Sequence, residues 1–94
     1  MGNNFKETLE RYRGQINEID QKLVDLLNER AKIVMKVKKL KQKEDVPLYD
    51  ARREEQLIEN IAEYNKGPLY RDNVIQIFES ILRNVQVLEK DDNL

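Results

Sequence analysis

Ninety-four residues are one domain's worth of chain, and a domain this small buries so little surface that oligomerisation is a common way to enlarge its core. Hydrophobic residues (39%) and charged residues (37%) nearly balance, which suits thin helices with one apolar stripe and a solvated back. The formal charge of −1 argues against a nucleic-acid partner, and the absence of histidine and cysteine excludes disulfides, thiolate or Ser-His nucleophiles and the usual ligands of zinc. What remains suits electrostatic stabilisation of an anionic substrate better than proton shuttling near neutral pH. The segment MGNNFKETLERYRG has neither an apolar h-region nor a cleavage pattern, and no run approaches a membrane span, so the expectation is a cytoplasmic protein with no membrane partner.

The first forty residues carry the clearest pattern. Leu9, Tyr12, Ile16, Ile19, Leu23, Leu26, Ile33, Val37 and Leu40 recur at steps of three and four, and the place missing from the series is Arg30. No proline intervenes before Pro47. The spacing predicts one long helix over about 5–43, near ~58 Å at ~1.5 Å per residue, with its seam packed against another helix. That length exceeds what a compact monomer covers, so the helix is expected to pair with a second chain.

Pro47 ends this helix, because the residue before a proline avoids the α region. Asp50 can cap a second helix over about 51–65, whose apolar positions are Leu57, Ile58, Ile61, Ala62 and Tyr64. Gly67-Pro68 is a stop signal. A third helix follows over about 72–90, with Val74, Ile75, Phe78, Ile81, Leu82, Val85 and Leu88 on one face. Strand alternation is absent. The predicted fold is all-α, three helices in a single domain over 1–94.

Several polar residues break these stripes. Arg30 sits in the seam, where a desolvated guanidinium without a partner costs several kcal/mol, so it is either a register-setting or ion-pairing residue or a ligand. Lys41 lies eleven residues on, nearly on the same face and ~16 Å further along the axis, so both cations can close on one small dianion. The lysines 38, 39, 41 and 43 also read as solvated charge favoured by the helix dipole. Arg13 lies ~25 Å before Arg30, out of reach of the same ligand unless an antiparallel partner chain supplies it. Arg53 and Glu54, one turn before Leu57 and Ile58, are expected to face inward as an ion pair or as a cation and a hydroxyl acceptor. Glu89 falls in phase with Ile75, Phe78, Leu82 and Val85.

Taken together, Arg13 in YRGQINEID, Arg30 in LLNERAKIV, Lys41 in VKKLKQK, and Asp50, Arg53 and Glu54 in YDARREEQL resemble the all-helical chorismate mutases, over about Leu9 to Glu89. GPLYRDNVIQIFESI is similar to mutase modules fused to an aromatic-pathway DAHP synthase. The resemblance implies an intertwined homodimer that rearranges chorismate to prephenate without cofactor or metal. It implies that Arg30 and the other protomer's Arg13 clamp the two carboxylates, supported by Arg53. Glu54 would accept from the ring hydroxyl, helped by backbone at Asp50, and Lys41 would donate to the ether oxygen.

Two positions depart from the family pattern. Glu89 stands where many bacterial members carry glutamine, and a carboxylate there would repel the negative charge growing on the ether oxygen. The expectation is a Glu89 that works only with its proton, and activity that falls as pH rises. Val85 stands where some relatives place a serine against a carboxylate, which should weaken binding and leave the chemistry intact. Two alternatives stay open. Isochorismate pyruvate lyases resemble the same fold and place a lysine in the first loop, where Lys43 lies nearby. A non-catalytic helical dimerisation or regulatory module explains the seam equally well, and leaves Arg30 and Lys41 on one face without a reason.

Overall fold

The structure, a computed structural model, describes residues 2–90, with side chains from 4 to 89. It holds three helices, α1 (Gly2–Lys43), α2 (Ala51–Tyr64) and α3 (Arg71–Lys90), and no strand among the described residues. The chain divides into two units, Met1–Ile33 and Val34–Leu94, and α1 belongs to both.

The first unit is the N-terminal part of α1. Its apolar stripe is uncovered: Tyr12, Ile16, Ile19, Leu23 and Leu26 are each more than half exposed. The seam packing expected from the spacing is therefore not made within one chain. Local side-chain pairings hold the helix surface instead. Arg13 Nη1 donates to Glu10 Oε1 at 3.2 Å, the Arg11 guanidinium lies 5.3 Å from the Tyr12 ring centre, and Asn28 Nδ2 donates back to the Val24 carbonyl at 3.0 Å. Such exposed pairs contribute a few tenths of a kcal/mol each.

The second unit begins with the last turns of α1, which end in a Schellman motif. Val46 N donates to Lys41 O at 2.8 Å and Asp45 N to Gln42 O at 3.2 Å, with Asp45 in the left-handed region at φ 55. Pro47 directly follows and cannot extend the helix. Asp50 then caps α2: its backbone is extended and its carboxylate accepts from Arg53 N at 3.1 Å. Helix α2 stops at Tyr64, one residue short of the expected end, because Asn65 leaves helical geometry with ψ at 124. The Asn65 side chain organises the turn, donating to Leu69 O at 2.8 Å and accepting from Gly67 N at 3.2 Å. Gly67 takes a φ of 85 there, which a side chain would disfavour.

Helices α2 and α3 pack against each other, with Ala62 and Val74 buried at their contact. Leu57, Ile58, Ile61, Ile75, Phe78, Ile81, Leu82 and Val85 are half-buried on the same elements. The core is thin, and in the α1 segment of this unit Val37 and Leu40 remain exposed, Leu40 as much as the stripe before it. The side chains that are covered on that segment are Val34, Met35, Lys38 and Lys41. Hence the face of α1 turned inward here is offset from the apolar stripe, and it carries two lysines.

Candidate functional site

The end of α1 places Lys41. Its carbonyl is held by Val46 N, and its ammonium donates to the Leu48 carbonyl at 3.1 Å, so the helix and the 44–50 loop close around this residue. An ammonium has three donors, which leaves two for a ligand. Leu48 in turn lines a cavity of about 360 Å³ together with Tyr49, Gln86 and Glu89. That volume lies within the range of small-molecule sites. Glu89 is half-buried on α3, in phase with Val85 one turn earlier, which is also half-buried.

The opening turn of α2 brings Glu54 to the same region, half-buried, where Gln86 Nε2 lies a long 3.4 Å from Glu54 Oε1. Arg53 does not face inward as expected. Its side chain is exposed, because Asp50 as cap and Glu54 as the covered residue leave position 53 on the solvent side of the first turn. Asp50 contributes its carboxylate to the cap, through Arg53 N.

Three residues that the sequence did not single out take part. Gln86 lines the cavity, pairs with Glu54, and also borders an open groove of about 570 Å³ between α2 and α3, floored by Ile58, Ile75 and Leu82. It lies one turn after Leu82 and three residues before Glu89, so its break in the apolar face was legible as a polar intrusion. Tyr49 borders both spaces, and no sequence pattern marks it. Lys38, read from the sequence as one of a solvated run, is 3% exposed, and its Nζ donates to the Leu88 carbonyl at 3.2 Å. By contrast Asn84 turns back to Ser80 on its own helix, and Arg52 is exposed.

In the first unit, Arg13 is exposed and paired with Glu10. Arg30 is half-buried, and its Nη1 is buried with no hydrogen-bond partner among the described residues. A buried donor left unpaired costs about 1–3 kcal/mol, a cost with a function if an acidic ligand relieves it. The second unit thus offers a fixed cation, carboxyls and an amide, and no group of residues that could hold a metal ion occurs among the described residues. Among them, too, no helix is long and apolar enough to cross a membrane.

Comparisons with known proteins agree with this chemistry. Residues 12–90 match the family described as chorismate mutase type II. The chain is 32% identical over 88 residues to a bifunctional chorismate mutase/prephenate dehydratase of Aquifex aeolicus, covering 89% of this chain and 24% of that protein. It is 29% identical over 85 residues to a chorismate mutase of Methanocaldococcus jannaschii, covering 89% of this chain and 86% of that one. The fold matches a solved chorismate mutase of Thermus thermophilus (form II) with a TM-score of 0.86 at 24% identity, over 89% of this chain and 96% of the other. The chain spans about a quarter of the length of the bifunctional relatives, whose second activity is a prephenate dehydratase and not the DAHP synthase that GPLYRDNVIQIFESI suggested. Half-buried cations, an uncovered helical stripe and a profile match across most of the sequence converge: the chain belongs to the chorismate mutase type II family.

Proposed function

We propose that this chain rearranges chorismate to prephenate as a single-domain homodimer in the cytoplasm, with two active sites that each use the partner's Arg13. The observation that carries the reading is Lys41, whose ammonium is fixed by the carbonyl of Leu48, a residue that lines one cavity with Glu89. In the reaction the ether C–O bond breaks as a new C–C bond forms, within one cyclic shift of electrons. Negative charge grows on the ether oxygen, and Lys41 is the donor that meets it. The two substrate carboxylates fall to Arg30 and the partner's Arg13, with Arg53 adding positive charge from the rim, and the ring hydroxyl falls to Glu54 with backbone near Asp50. Glu89 acts at the ether oxygen beside Lys41, and Val85 supplies packing where a hydroxyl would have added a hydrogen bond. Acceleration comes from a compact bound conformer and from charge fixed in advance.

Homodimerisation is supported by the bare stripe of α1 and by the α2–α3 groove floored by Ile58, Ile75 and Leu82. Each stripe residue moved fully from half exposure contributes about 1 kcal/mol. An antiparallel partner helix satisfies both surfaces, and it is the arrangement that lets Arg13 join the other chain's Lys41. Where the chain works beside another enzyme, the relatives favour one that consumes prephenate.

The test is the loss of chorismate absorbance with purified protein, with products identified and isochorismate assayed in parallel. Conversion of chorismate to prephenate without added metal or cofactor supports the reading. Pyruvate release from isochorismate instead assigns the lyase, and no turnover of either refutes the enzyme.

A further inference from the structure

The mechanism makes no use of Lys38, yet it is the buried charged residue of the second unit, at 3% exposure. Its neighbours Lys36, Lys39 and Lys43 are all exposed. Lysine is almost never fully buried unless paired, so this ammonium is expected to hold something in place. One group that it holds is the Leu88 carbonyl, at 3.2 Å, in the last turn of α3 (Arg71–Lys90). Carbonyls toward the C-terminal end of a helix face the negative end of its dipole, so a cation suits them.

The backbones do not make this junction. Among the described residues, no Cα of α1 comes within 8 Å of a Cα of α3, and the lysine side chain spans the gap. Lys38 and Lys41 lie three residues apart on the covered face of α1, and they reach in two directions. Lys41 ties the loop at Leu48, and Lys38 ties the end of α3 at Leu88. Among the described residues, those two pieces line the 360 Å³ cavity: Leu48 and Tyr49 from the loop, Gln86 and Glu89 from the helix.

We propose that Lys38 is a positioning residue: by clamping the Leu88 carbonyl it fixes the next residue, Glu89, where it lines the cavity with Leu48, the residue that Lys41 holds. The inference rests on the reading of Glu89 as a catalytic group. It separates two lysines of one run by task, one meeting the substrate and one setting the distance at which α3 meets it.

The experiment is a double-mutant cycle on the full-length dimer with chorismate, using Lys38→Met, Lys38→Arg, Glu89→Ala and their combinations. Displacing a catalytic group by about an ångström typically costs up to ~100-fold. Lys38→Met is therefore expected to lower kcat ~10- to 100-fold with KM changed less than about twofold, and Lys38→Arg to restore most of it. In the Glu89→Ala background the same Lys38→Met change should move kcat by less than about twofold, because the group it positions is gone. Amide hydrogen exchange over residues 85–90 should quicken in Lys38→Met while α2 keeps its protection.

If Lys38→Met fails to fold, Lys38→Arg and its combination with Glu89→Ala carry the cycle alone, and any loss in kcat must vanish in the double variant. Equal losses in both backgrounds, or an unchanged kcat in Lys38→Met while Glu89→Ala is impaired, overturns the proposal and leaves the Glu89 reading standing. If Glu89→Ala turns over like the wild type, the Glu89 reading itself fails and takes the positioning role with it.

Discussion

Replacing Arg30 by leucine should make this protein more stable and inactive at the same time. Arg30 Nη1 is buried without a partner among the described residues, and an unsatisfied buried donor costs about 1–3 kcal/mol. Leucine removes that penalty and suits the apolar spacing that Arg30 interrupts. For a domain of this size ~1 kcal/mol corresponds to about 4–8 °C in Tm, so Arg30→Leu should melt at least ~4 °C higher than the wild type. Ligand should reverse the order. A non-reactive dianionic analogue of chorismate at ~100 times its Kd adds about 2.7 kcal/mol to a protein that binds it, a rise of ~10 °C or more. The wild type should show that rise, and Arg30→Leu should shift by less than ~2 °C and turn over no chorismate. Differential scanning fluorimetry with and without the analogue, beside the turnover assay, reads every arm. A lower Tm for ligand-free Arg30→Leu, or an undiminished analogue shift, refutes the claim that this guanidinium is held unpaired for an anion.

Four further outcomes follow from particular contacts. If the proposed dimer forms through the bare stripe of α1, the wild type should sediment as a dimer at micromolar protein and Leu23→Lys, which puts a charge into that stripe, as a monomer; a dimer that persists in Leu23→Lys places the interface elsewhere. Asp50→Ala removes the carboxylate that accepts from Arg53 N, and should lower stability by about 1 kcal/mol in urea unfolding. Asp45→Gly relieves a left-handed φ of 55 at the Schellman position and should raise stability by up to about 1 kcal/mol; a lower urea midpoint contradicts the assignment. Glu89→Leu removes the polar group that lines the cavity and should lower kcat for chorismate, whereas Glu89→Gln keeps a hydrogen-bonding group there and should retain turnover. Undiminished turnover by Glu89→Leu removes Glu89 from the chemistry.

The proposed dimer and the proposed active site are linked through one geometric fact. The covered face of the last turns of α1 carries Val34, Lys38 and Lys41, and the apolar stripe with Val37 and Leu40 lies beside it, exposed. One helix can therefore hold its own chain's α3 and loop with lysines while it offers leucine, isoleucine and valine to a second copy. Substitutions on the two faces should separate accordingly. Those on the stripe act on assembly, and those at positions 38 and 41 act on turnover.

The helices were legible in the sequence because what makes them is local. Apolar residues at steps of three and four, Pro47 after the end of α1, an aspartate at position 50 and Gly67-Pro68 in the second turn are each read within a few residues of where they act. Arg30 was legible for the same reason, as a charge in a register that demands an apolar side chain. Only the tertiary structure decided the fates of residues that look alike in one dimension. Nothing local distinguishes Lys38 from Lys36 or Lys39, yet one is buried against the Leu88 carbonyl, fifty residues away in sequence, and the others meet solvent. Arg53 and Glu54 are adjacent in the chain, and the cap at Asp50 set which of them turned inward. Backbone hydrogen bonds run between near neighbours, so helices are written locally. Burial depends on which distant surface arrives, and that is settled only when α3 packs on α2 and the loop closes on Lys41.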